Sequence, residues 1–158
     1  MNKSTRAALP RLAIAAFAAI LLSGCSAGGG GGLSAGLVAR MDQPGASLNR
    51  AEALGIVNHY RSSVGSTALA ADAGLDAAAQ RLAADYASSG TAPRRPDGAV
   101  AMRVSAGYAT FAETFSGWRN SPADAQVLTG RGATRAGLGV AYNANSTYGV
   151  YWVLILEN

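Results

Sequence analysis

The chain of 158 residues contains one cysteine, one histidine and one lysine. A lone cysteine cannot close an internal disulfide, so a disulfide-stapled scaffold is excluded. A single imidazole and a single thiol leave the usual three- or four-ligand zinc sites short of donors. Charged residues make up only 14% of the chain and aromatics 7%, which limits the room for a charged binding face. The formal net charge of +4 overstates the basic character. Lys3, Arg6 and Arg11 precede a long apolar run, and without them 13 − 3 = 10 basic residues face 9 acidic ones. Nucleic-acid binding needs clustered cations, and beyond the apolar run only Arg94 and Arg95 are adjacent, so a nucleic-acid partner is set aside.

What is present begins with a targeting signal over residues 1–24. The basic start is followed by LAIAAFAAILL, Leu12 to Leu22, 11 residues long. A bilayer core of about 30 Å needs roughly 20 apolar residues, so this run has the length of a secretory signal rather than a membrane span. Leu22-Ser23-Gly24-Cys25 resembles the bacterial lipobox, in which the cysteine becomes the lipidated first residue. A free thiol in an oxidising compartment is a liability, and acylation of Cys25 removes it. More than one buried acyl chain gives stable membrane attachment. Ser26 lacks the aspartate associated with inner-membrane retention. The sequence therefore predicts a lipoprotein held at the outer membrane of a Gram-negative envelope, facing the periplasm.

Residues 25–46 are rich in Gly, Ala and Ser and include five consecutive glycines, Gly28 to Gly32. They read as a tether with a root-mean-square reach of roughly 25 Å. A domain is expected over 47–158. Leu54, Val57 and Arg61, with Ile56 and Tyr60, fall at helical spacings up to Gly65. Asp72 is a candidate N-cap for a second helix, on which Leu75, Ala79, Leu82 and Tyr86 share a face. Residues 99–108 predict a strand. Thr110 and Glu113 have the spacing of a capping box that opens a third helix. Ser121, Pro122 and Asp124 predict another start, with serine as N-cap and proline at N1. The two closing segments, TRAGLGVAYN and YGVYWVLILEN, read as a β-hairpin. The last is apolar from Val150 to Leu156, so it should be a central strand covered on both faces. The expected fold is α+β: an α/β/α sandwich with a small antiparallel sheet flanked by helices.

The order of these elements from Ala51 to Leu156 resembles the CAP superfamily (cysteine-rich secretory, antigen 5 and pathogenesis-related proteins), also called the SCP domain. The resemblance rests on Asn58-His59-Tyr60-Arg61 as the N-x-x-R helix and on the alanine-rich helix from Ala70 to Ala87. Val104 to Tyr108 and Ala112 to Trp118 extend it, and Trp118-Arg119-Asn120-Ser121-Pro122 is similar to the W-x-x-S-P junction. Gly137 to Tyr142 and Tyr148 to Leu156 are similar to the closing strands. Family members with a metal cavity use two histidines and acidic residues converging on one pocket. Here Thr91 to Pro96 supplies no histidine, Met102 and Arg103 fall where the family has a Glu-Asn pair, and Asp124 stands in the second histidine's place.

Two readings apply to each remaining candidate. Glu113 is a capping-box acid or a cavity acid. Asp124 is a first-turn acid favoured by the helix dipole, worth about 0.3–1 kcal/mol, or a retained cavity acid. His59 is a structural or surface residue, or a rebuilt ligand. Trp118 and Trp152 fit the core. Arg103 is expected to pair with Asp124, replacing a metal by an ion pair. The resulting expectation is an envelope lipoprotein whose CAP domain is non-catalytic and needs no cofactor. Its partners would be the membrane, through Cys25, and a small apolar ligand or an envelope protein. The competing expectations are a metal-dependent or proteolytic hydrolase rebuilt from Glu113, Asp124 and His59, and a purely structural envelope protein.

Overall fold

The central layer is a four-stranded sheet in the order β1-β3-β4-β2, formed by β1 (Ala70–Ala71), β2 (Ala101–Ala106), β3 (Arg135–Tyr142) and β4 (Val150–Glu157). The computed structural model describes Met1 and residues 32–158; the signal segment, Cys25 and most of the glycine run lie outside the described residues. β4 pairs antiparallel with both β2 and β3, and the short β1 adds a parallel edge beside β3. Ala70 and Ala71 are too few and too plain to signal a strand in the sequence. Every residue of β4 from Val150 to Leu156 is buried, as its unbroken apolar run requires of a central strand.

Side-chain alternation along β4 divides the core into two. Val150, Trp152, Leu154 and Leu156 face one side, where they join Val57 of α2 (Arg50–Ser63), Phe111, Phe115 and Trp118 of α4 (Phe111–Asn120), and Leu128 of α5 (Pro122–Leu128). Val153 and Ile155 face the other side and meet Ala79 and Ala83 of α3 (Ala73–Ser89). The result is the expected sandwich, with α3 on one face of the sheet and α2, α4 and α5 on the other.

The buried residues of α3 are Ala79, Ala83 and Ala87, whereas the larger Leu75, Leu82 and Tyr86 are only partly covered. The cause lies in β3. A Cβ on Gly137 would stand 2.1 Å from the Leu75 carbonyl carbon, and one on Gly139 would stand 2.3 Å from that of Ala79. The two glycines face α3 and let its backbone rest directly on the sheet, so only alanines fit along the seam. Asp72 caps α3 by accepting from the Leu75 N–H at 2.9 Å, and Gly90 ends it in the left-handed conformation with φ +70°.

Beyond Ala136 the outer edge of β3 has no neighbouring strand among the described residues, and side chains take its place. The Leu138 N–H donates to Asp76, the Leu138 carbonyl accepts from Arg50 and the Val140 carbonyl accepts from Gln80. Three side chains thus satisfy an edge that would otherwise offer itself to another chain.

The tether reading needs correction over its second half. Residues 35–38 form a short helix, α1 (Ala35–Val38), and Leu37, Met41 and Leu48 are buried in the larger core cluster. The Met41 N–H also donates to the Ala109 carbonyl at 2.8 Å. Sparse apolar anchors in a Gly/Ala-rich stretch give no period, yet each covers apolar surface, so the folded unit begins near residue 33 rather than 47.

Candidate functional site

The positions that resemble the family's cavity sit where β2 meets α5. α4 begins with the capping box its sequence predicts: the Glu113 N–H donates to the Thr110 hydroxyl, and the Thr110 N–H donates to the Glu113 carboxylate at 3.0 Å. Glu113 also accepts from the Ala109 N–H at 3.1 Å. Its carboxylate is held by backbone donors at a helix start, the capping role its spacing predicts. At the far end of α4, Trp118 is buried edge-on against Phe111. Ser121 closes α4 and opens α5, with Pro122 at the first turn; the serine hydroxyl makes no capping bond.

Asp124 lies in that first turn, and its carboxylate reaches across to the Arg103 guanidinium of β2 at 2.9 Å. The Arg103 side chain is 32% exposed and the Asp124 side chain 16%, so the pair is largely withdrawn from water. The first turn of α5 and the Arg103 guanidinium both place positive charge beside the Asp124 carboxylate. Arg103 Nε, Ser105 Oγ and Trp118 Nε1 are buried without a hydrogen-bond partner. Arg103 and Ser105 are two residues apart in β2, hence on one face, and Trp118 belongs to the core on that same side. Ser105 was missed at the sequence level, although strand alternation from Arg103 would have found it.

The other predicted site residues are not brought to this corner. Met102 is adjacent to Arg103 in β2, and a strand's period of two sends it to the opposite face, where it packs with Val104 against the α3 cluster. Met102 and Arg103 therefore do not share a cavity. His59 is exposed on α2. Its neighbours in the N-x-x-R motif act structurally. Asn58 makes paired bonds to the backbone of Leu69, at 2.9 and 2.8 Å. Arg61 is 1% exposed and donates to the carbonyls of Thr67 and Leu128 at 2.8 and 2.7 Å. It stands between the loop that follows α2 and the C-terminal end of α5, whose carbonyls take the place of a carboxylate. Burial lowers the pKa of its guanidinium from the ordinary value.

These residues do not fit the metal that the family's cavity implies. A divalent ion needs several anionic or neutral donors converging at about 2.0–2.3 Å. The corner instead offers one carboxylate already bonded to a guanidinium, a cation that repels a second cation. Among the described residues, no group of three or more His, Cys, Asp or Glu side chains could hold a metal. Two hollows of the surface lie away from this corner. An open apolar groove of about 560 Å³ follows α4, lined by Leu33, Tyr108, Ala112 and Ser116 among others. A cleft of about 310 Å³ lies over Arg61 and the loop from Thr129 to Gly132. No helix among the described residues is long and apolar enough to cross a membrane.

Comparison with known proteins gives the same fold. No curated protein matches the chain. Among solved structures, MpPR-1i superposes with a TM-score of 0.56 at 18% identity, over 68% of this chain and 88% of that one. An outer surface protein from Borrelia burgdorferi gives 0.55 at 14% identity, over 66% and 89%. A cysteine-rich secretory protein from Staphylococcus aureus gives 0.51 at 15% identity, over 68% of this chain but 38% of its own length. The profile of the cysteine-rich secretory protein family, CAP, matches residues 54–156. That stretch runs from the buried face of α2 to the end of the central strand, about two thirds of the sequence, and the chain belongs to the CAP family.

Proposed function

We propose that this protein is a lipid-anchored envelope protein whose CAP domain acts by binding rather than by metal-dependent catalysis. The observation that carries the reading is the Arg103–Asp124 ion pair, with 2.9 Å between the groups. It puts a guanidinium beside the one acid that remains at the family's ligand positions. Breaking such a pair to admit a cation would leave Arg103 without its partner and next to a second positive charge. Glu113 is bonded as a helix cap, His59 is exposed on α2, and among the described residues no three His, Cys, Asp or Glu side chains converge, which supports the same reading against a site rebuilt from Glu113, Asp124 and His59. The lipobox-like Leu22 to Cys25 and the preceding apolar run support export and anchoring, and a structural neighbour is named as an outer surface protein. A small apolar ligand or an envelope protein is the partner class, beside the membrane that holds the anchor.

The competing hydrolase reading makes a different prediction in solution. Peptide and ester hydrolysis are measured with and without added zinc, using the chain from residue 32 onward and its Asp124→Ala variant. The expected outcome is no turnover above buffer for either chain. Zinc-stimulated turnover that Asp124→Ala removes would overturn the proposal.

A further inference from the structure

The correction to the tether changes where the domain can sit. With Leu37 and Met41 buried, only seven residues, 26–32, separate Cys25 from Leu33, the first apolar side chain of the described unit. The eight Cα steps from Cys25 to Leu33 span at most about 28 Å even when fully extended. Any lipid carried on Cys25 therefore holds the Leu33 end of the domain close to the bilayer, and the surface around Leu33 becomes a membrane-proximal face.

That surface is apolar. Leu33 is 55% exposed and Tyr108 38% exposed, and both line the open groove along α4. A second hollow of about 160 Å³ continues it past Leu33, Ala112 and Ser116 to Ile56 and Arg119. Glu113 is the acid on this face, and its carboxylate is taken up by backbone N–H groups at the start of α4. Arg119, exposed in the last turn of α4, leaves a guanidinium at the rim. Apolar side chains flanked by an arginine match an interfacial surface, where the former enter the acyl boundary and the latter meets anionic headgroups.

We propose that the groove along α4, with Leu33, Tyr108 and Arg119, is the face on which the domain lies against the membrane that holds its anchor. The inference rests on the lipid-anchored reading given above.

The test uses the full chain, processed in a Gram-negative host and reconstituted into vesicles of phosphatidylethanolamine and phosphatidylglycerol with brominated acyl chains. Cys25 is the only native cysteine, so a fluorophore can be placed through Asn120→Cys, beside the groove, or through Ala84→Cys, exposed on α3 across the sheet. Bromine should quench the label at position 120 severalfold more than the label at 84. Adding Leu33→Ser with Tyr108→Ser should remove the difference. Equal quenching at the two positions on an acylated chain overturns the docking face and leaves the anchor intact. A mature chain whose mass shows no acyl group on Cys25 overturns the anchor and this inference with it.

Discussion

Replacing Arg103 and Asp124 by alanine, singly and together, tests whether the corner between β2 and α5 is held by a true ion pair. Two opposite unit charges about 4 Å apart attract by about 4 kcal/mol at an effective dielectric of 20, and by about 1 kcal/mol in water. The exposures of 32% and 16% place this pair between those limits. Withdrawing two charges from water offsets much of the attraction, and the unpartnered Arg103 Nε adds to that cost. The net coupling is expected at about 1–2 kcal/mol. Either single variant should lose about 2 kcal/mol, since each strands a half-buried charge, and the double variant should lose less than the sum. Urea unfolding of the four chains, begun at residue 32, measures all the terms. Additive losses, within about 0.3–0.5 kcal/mol, would refute the reasoning.

Four further outcomes follow from the fold. Gly139→Ala should destabilise the domain by about 3 kcal/mol or more, because its Cβ would meet the α3 backbone at 2.3 Å; a small shift in the urea midpoint would contradict this. Arg61→Met should cost about 3 kcal/mol by leaving the carbonyls of Thr67 and Leu128 buried without donors, and Arg61→Lys should recover only part of that, as read by thermal unfolding. A chain begun at residue 47 should unfold at lower urea than one begun at residue 32, since it lacks Leu37 and Met41; equal midpoints would restore the tether reading. The Asp72 pKa is held below its ordinary value, first by the Leu75 N–H and then by Arg135. Its stabilising contribution is therefore present above the unfolded pKa near 4 and is lost as pH falls through the lower folded value. Acid titration of stability should be flatter for Asp72→Asn than for the parent chain.

Much of this fold was legible because local chemistry and tertiary packing agree. The Thr110–Glu113 capping box, the Asp72 cap, the Gly90 stop and the central β4 each follow from residues only a few positions apart. Leu54, Val57 and Arg61 do share the buried face of α2, although the carbonyls that accept from Arg61 lie far along the chain and left no local trace. The alanine seam of α3 was hidden for a similar reason. Leu75 and Leu82 carry the hydrophobic pattern, but Gly137 and Gly139 decide which side of the helix comes closest. Residues 33–46 were misread because two isolated anchors, Leu37 and Met41, make no period.

The site was legible in part. Family resemblance places Arg103 and Asp124 by their spacing from other motifs, and the structure joins them. The same reasoning set Met102 beside them, because a linear resemblance carries no information about which face of a strand a residue takes. The unpartnered Ser105 Oγ and Trp118 Nε1, on the Arg103 side of the sheet, give that corner its remaining polar character.

The central proposal is that this CAP domain holds an ion pair, and no metal, at the positions that resemble the family's ligands. Zinc content, measured by elemental analysis on protein purified without chelators and dialysed against added zinc, tests it most directly. The account predicts far less than one zinc per chain, unchanged in Asp124→Ala. One zinc per chain, lost in Asp124→Ala, would contradict it.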